Sequence, residues 1–127
     1  MKTPSPYALW VPVVFYLALI FWLSSISHPP ELPSGVTDKE AHAALYLGLG
    51  AVLVRAFAGG FARPVTVRIA VLAVVVSGLY GVTDEIHQYF VPPRQMDAAD
   101  ALADTVGASV AACGLYAWSI IRGRHAL

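Results

Sequence analysis

Eight carboxylates, eight Lys/Arg side chains and four histidines make up the charge-bearing groups of this 127-residue chain, and most fall into three short stretches. The first holds Asp38, Lys39, Glu40 and His42, with Tyr46 following. The second holds Asp84, Glu85, His87 and Gln88. The third holds Arg94, Asp97, Asp100 and Asp104. At helical spacing Lys39, His42 and Tyr46 (i, i+3, i+7) share a face, as do Asp97, Asp100 and Asp104. Asp38 and His42, four apart, can pair. An imidazole among carboxylates is equipped for general acid–base chemistry, which makes His42, Asp84 and Glu85 the candidate catalytic residues. Lys39, Tyr46, Gln88, Arg94, Asp100 and Asp104 are the candidate ligand-binding groups. The two cations suit phosphate, and Arg94 can bind it bidentately.

Other chemistry is less well supported. His42 with several carboxylates makes a metal site conceivable, but there is no HExxH or cysteine pattern, so no metal ligand is assigned and no cofactor is expected. A Ser/His/Asp nucleophile would need Ser24 or Ser25, and serines at a helix end more often cap or bond between helices. Structural readings compete throughout. Asp38 and Glu40 suit the first turn of a helix. Asp84 and Glu85 fall at a helix C-terminus, where carboxylates oppose the dipole and call for a compensating cation. Three aspartates on one face repel, and require protons, pairing with Arg94 or Lys39, or a bound cation.

These stretches are positioned by apolar elements. Apolar residues make up 57 % of the chain and charged residues 13 %, against about 25 % charged in soluble domains. A bilayer core of about 30 Å takes roughly 20 helical residues. Four runs reach that length, over residues 7–26, 38–58, 64–89 and 97–122, with the third beginning at Pro64, a residue favoured in a first turn. Loops rich in Pro and Gly separate them: Pro29, Pro30, Pro33 and Gly35; Gly59 to Pro64; and Pro92 with Pro93. The fold class expected is all-α, a single domain over 1–127 forming an up-down four-helix bundle in lipid.

With the N-terminus cytoplasmic, Lys2, Arg55, Arg63, Arg68, Arg122 and Arg124 lie inside, and only Lys39 and Arg94 lie outside. That obeys the positive-inside rule and places both termini in the cytoplasm. All eight carboxylates then fall outside, a segregation that insertion does not require, because acidic residues contribute little to topology. Ionisable groups at membrane depth are functional candidates by default, Asp104 being the deepest. The first run is too long, and too rich in tryptophan with Trp10 and Trp22, for a cleaved leader. Cys113, the single cysteine, is expected as a buried structural thiol. Zero formal net charge gives no reason to expect nucleic acid. Gly107 and Ala111 form a small-xxx-small face suited to close packing, within the bundle or across a homodimer; Gly78 and Gly81 are candidates to face it.

The order of these polar motifs resembles the VanZ-like family, named for a teicoplanin-resistance accessory protein. The resemblance rests on Ser24-Ser25 with Pro29, on Asp38-Lys39-x-x-His42-x-x-x-Tyr46, and on Asp84-Glu85-x-x-Gln88-x-Phe90-x-Pro92-x-Arg94 followed by Asp97, Asp100, Asp104 and Gly107. The chain departs from the family pattern at Pro93, often Gly, and at Asp104, often Asn. The resemblance implies a multi-pass protein of the bacterial cytoplasmic membrane. Its setting is the cell envelope, where teicoplanin acts on wall precursors outside the membrane. The partner expected is a membrane lipid or lipid-linked cell-wall precursor. Whether the chain is an enzyme, or a non-enzymatic module with a structural ionic network, stays open at this level. Transport ranks behind both, since four helices give little wall for a solute path.

Overall fold

The computed structural model describes residues 2–125; Met1, Ala126 and Leu127 lie outside them. It is all-helical, with four helices in order: α1 (Pro6–Ser24), α2 (Asp38–Ala58), α3 (Val67–Tyr89) and α4 (Ala98–His125). Each is long and apolar enough to cross a membrane. Large apolar side chains such as Val14, Phe15, Trp22, Val71, Val75, Leu79, Val106 and Val110 point outward, as lipid-facing helices require.

Local chemistry sets the helix ends. Ser5 caps α1 by accepting from the Ala8 N–H (3.2 Å), with Pro6 in the first turn. Thr37 and Glu40 form a reciprocal capping box on α2: the Glu40 N–H donates to the Thr37 hydroxyl at 3.2 Å, and the Thr37 N–H donates to the Glu40 carboxylate at 2.7 Å. Gly59, at φ 80°, closes α2 in the left-handed region open to glycine. Several boundaries differ from the sequence reading. The first helix ends at Ser24, before Ile26. The third starts at Val67, not Pro64, because the Thr66 side chain caps it through the Ile69 N–H. The fourth starts at Ala98 because the Asp97 carboxylate turns back to accept from the Ala99 N–H at 2.9 Å; it runs on past residue 122, to His125.

The loops alternate the helices up and down, but the packing is not a square. α2 touches all three others, its most extensive contact is with α4, and α1 and α4 do not pack on each other. Glycine makes the α2–α4 pairing close. A side chain at Gly107 would overlap the Ala43 carbonyl, and one at Gly50 would press on the Ala108 backbone. The small-residue face of α4, with Ala108 and Ala111 buried, is thus used inside the chain. Gly78 and Gly81 meet Thr105 and Asp104 instead. Below this contact Ile20, Tyr46, Leu49, Leu53, Val54 and Ala112 form the core. Hydroxyls pin α1 in place: Tyr16 donates to the Leu45 carbonyl and Tyr80 to the Leu17 carbonyl, both at 2.7 Å. Cys113 is exposed on α4, not buried. The burial habits of soluble proteins mislead there, because a lipid-facing position hides a thiol from water without any packing partner.

Candidate functional site

At one end of the bundle the C-termini of α1 and α3 meet the N-termini of α2 and α4. Ser24, His42, Asp84, Glu85, Gln88, Asp100 and Asp104, drawn from all four helices, are buried there. Glu85 is only 3 % exposed and Asp104 is fully buried, so each charge must be met by a partner within the protein.

Two links join α2 to α4. Lys39 Nζ donates to Asp97 (2.7 Å) and to Asp100 (2.5 Å). His42 Nδ1 lies 2.8 Å from Asp104 Oδ1, and its Nε2 faces Asp100 at 3.7 Å and Asp38 at 3.9 Å. The predicted i, i+4 pairing of Asp38 is therefore the weakest of the His42 contacts, and Asp38 is largely exposed. The three aspartates of the third stretch are compensated by Lys39 and His42, not by Arg94. Hydrogen bonding to Lys39, and then to the Ala99 N–H, holds the Asp97 carboxyl below the usual range.

α3 contributes the other carboxylates. Asp84 accepts a short hydrogen bond from the Ser24 hydroxyl, and the Gln88 amide donates to the same Ser24 oxygen at 3.3 Å. Glu85 Oε2 accepts from the Asp97 N–H at 2.9 Å. Among the described residues no Lys or Arg forms a salt bridge to Asp84 or Glu85. A serine hydroxyl and a backbone amide stabilise them where the sequence called for a cation. Arg94 is half-buried and donates to the Ile26 carbonyl at 2.9 Å. Glu85 Oε1, Asp104 Oδ2 and the Tyr46 hydroxyl are buried without a hydrogen-bond partner.

A cavity of about 160 Å³ opens beside this cluster. Its lining mixes the apolar side chains Ile20, Leu23 and Leu45 with Ser24, His42, Asp84, Gln88 and Arg94. A second, more polar recess of about 370 Å³ shares Asp38, Gln88 and Arg94 with it and continues past Asp97 and Asp100. Lys39 lines neither space. His42, Asp84, Glu85 and Asp104 can each offer one ligand atom, all within 4.8 Å of one another.

Of the residues singled out beforehand, Lys39, His42, Asp84, Glu85, Gln88, Arg94, Asp100 and Asp104 gather at this end. Tyr46 projects into the core just beneath them, where it is completely buried. Glu40 serves the capping box instead. Ser24 is the member the sequence reading undervalued; the Ser24-Ser25 pair was the available signal, and only Ser24 turns inward, whereas Ser25 bonds back to the Phe21 carbonyl.

A family model described as VanZ/LLP1 matches residues 8–121, a span that reaches into all four helices and includes every residue of this cluster. The chain belongs to the VanZ/LLP1 family. Searches of curated proteins and of solved structures give no match. Membership together with four apolar helices makes this a VanZ-like multi-pass membrane protein. In this VanZ/LLP1 chain the three polar stretches meet at one end of the bundle, with His42, Asp84, Glu85, Gln88, Asp100 and Asp104 buried there.

Proposed function

We propose that the cavity binds the headgroup of an outer-leaflet lipid or lipid-linked phosphate of the cell-wall precursor type. The observation that carries this is the mixed lining: Ile20, Leu23 and Leu45 share one space with His42, Asp84, Gln88 and Arg94 at the end of lipid-exposed helices. Amphiphiles match such a lining, which offers apolar contact to the body and polar groups to the anionic oxygens. Arg94 is the phosphate-binding cation, because its guanidinium reaches the cavity and carries no carboxylate partner. Lys39 positions α4 rather than the ligand, since both Asp97 and Asp100 hold it. His42, with Asp84 and Glu85 beside it, is placed for acid–base work on the bound group.

In this reading the carboxylate-rich end faces outside the bacterial cytoplasmic membrane, and the end carrying Lys2, Arg55, Arg63, Arg68, Arg122 and Arg124 faces the cytosol. Through its family's name the chain is linked to teicoplanin susceptibility, and a site outside the membrane fits that link. An impermeant maleimide should label Glu31→Cys in intact cells, in a Cys113→Ser background; labelling only after lysis overturns the orientation.

Lipid co-purification read by mass spectrometry tests the binding. The native chain should retain one class of phosphate-bearing lipid that Arg94→Ala loses. Identical lipid inventories overturn the reading. They would favour the second one, a non-enzymatic envelope module that binds a partner at its surface, for which the Lys39 and His42 links joining α2 to α4 are the supporting observation.

A further inference from the structure

We propose that His42, Asp84, Glu85 and Asp104 together bind one divalent metal ion, of the Mn²⁺ class. The four side chains come from α2, α3 and α4, are all buried, and present one ligand atom each within a 4.8 Å sphere of mutual distances. Proximity alone would describe any acidic cluster. The independent observation is the orphaned oxygens. Glu85 and Asp104 are each anchored through one oxygen, Oε2 on the Asp97 N–H and Oδ1 on His42, and each leaves its other oxygen buried with no partner. Unpaired buried oxygens are costly, and a cation satisfies them where no donor does.

Charge points the same way. Three carboxylates surround one imidazole, Lys39 is spent on Asp97 and Asp100, and the Arg94 guanidinium donates to a carbonyl. A divalent ion supplies the missing positive charge at a depth where lone anions are disfavoured. His42 presents Nδ1 to the cluster, 2.8 Å from Asp104 Oδ1, and turns Nε2 the other way, 3.7 Å from Asp100. Asp84 is oriented by the Ser24 hydroxyl. Three carboxylates with one imidazole and no thiolate suit a divalent ion that takes oxygen and nitrogen, such as Mn²⁺, rather than the soft Cu⁺. His42 and Asp84 also line the cavity. The site stands on these four side chains: an ion there takes His42, Asp84 and Glu85 out of acid–base work, and phosphate binding through Arg94 does not depend on it.

The test is a titration of the full chain, purified in detergent and stripped with chelator, with MnCl₂ in the absence of added lipid. Free Mn²⁺ is followed by room-temperature EPR, and the bound ion by pulsed EPR. The expected result is one saturable Mn²⁺ per chain with nitrogen coupling from a single histidine. Glu85→Gln and Asp104→Asn should each weaken binding by about ten-fold or more, and Glu31→Gln, in an exposed loop, should not. No saturable binding by the folded native chain overturns the proposal. So does a bound ion without nitrogen coupling, or unchanged affinity in both variants. If the variants do not fold, stoichiometry and nitrogen coupling in the native chain decide alone. Failure here leaves the lipid co-purification result untouched.

Discussion

The two ends of the bundle carry opposite charge and treat it differently. At the end formed by the start of α1, the close of α2, the start of α3 and the close of α4, arginines stay exposed or half-buried and turn to backbone and rings. Arg55 donates to the Ala8 carbonyl at 2.8 Å, and Arg122 donates to the Phe61 carbonyl at 2.6 Å while its guanidinium lies over the Trp118 ring. Cations near helix C-termini and loop carbonyls are well placed there and need no anion. At the opposite end the carboxylates are drawn inward against Lys39, His42 and Ser24 and against one another. One end anchors; the other holds opposed groups in place at a cost that only packing sustains. The contrast teaches where function sits: a charge that only needs an address remains at the surface, whereas buried, incompletely partnered charges mark a site.

The largest effect should come from separating the helices that carry the buried end. Gly107→Leu places a side chain where the Ala43 carbonyl already lies, with rigid backbone on both sides. Overpacking typically costs about 1–3 kcal/mol when side chains can yield, so backbone against backbone should exceed that range and abolish a monodisperse peak in fluorescence-detected size exclusion. Gly114→Leu, with open space at that position, should leave the peak unchanged. Equal behaviour of the two would break the picture of a glycine-built α2–α4 seam.

Next comes the direct comparison of the ends. His42→Ala leaves Asp104 buried without its imidazole, a change expected to cost about 3–5 kcal/mol. Arg122→Ala removes an exposed contact, expected to cost within about 1 kcal/mol. Denaturant unfolding in mixed micelles should separate the two clearly, with Asp104→Asn falling between them because the amide keeps its shape and sheds its charge. If Arg122→Ala destabilises as much as His42→Ala, the two ends are not different in kind.

Much of this was legible from residues alone. Four spans, their alternation, and the segregation of carboxylates from arginines follow from run lengths and charge, which the bilayer constrains strongly. What could not be read was pairing. Loop length makes α1–α2 and α3–α4 neighbours, but nothing local to Gly50 or Gly107 says that α2 and α4, far apart in sequence, form the tightest seam. Without that seam Lys39 looks free for a ligand; with it, Lys39 is committed to Asp97 and Asp100. Ser24 was undervalued for the same reason, because a hydroxyl at a helix end acquires meaning only when Asp84 is set against it.

The smallest effect lies at the rim of the buried end, and its pH dependence has a defined sign. Hydrogen bonding to Lys39 depresses the Asp97 carboxyl below its unfolded value of about 4. A depressed carboxylate contributes stability that is fully present above the unfolded value and is lost as pH falls through the folded one. Asp97→Asn keeps an oxygen for the Ala99 N–H, so the first turn of α4 stays capped while the charge is removed. The melting temperature of Asp97→Asn should therefore fall slightly below that of the native chain near pH 6, and the gap should close as the solution is taken below about pH 4. Because Asp97 is half-exposed, added salt should narrow the gap at pH 6 as well. A gap that persists unchanged into acid would mean that the Asp97 charge paired with Lys39 is not its source. The ionic rim would then belong with the anchoring end rather than with the buried one.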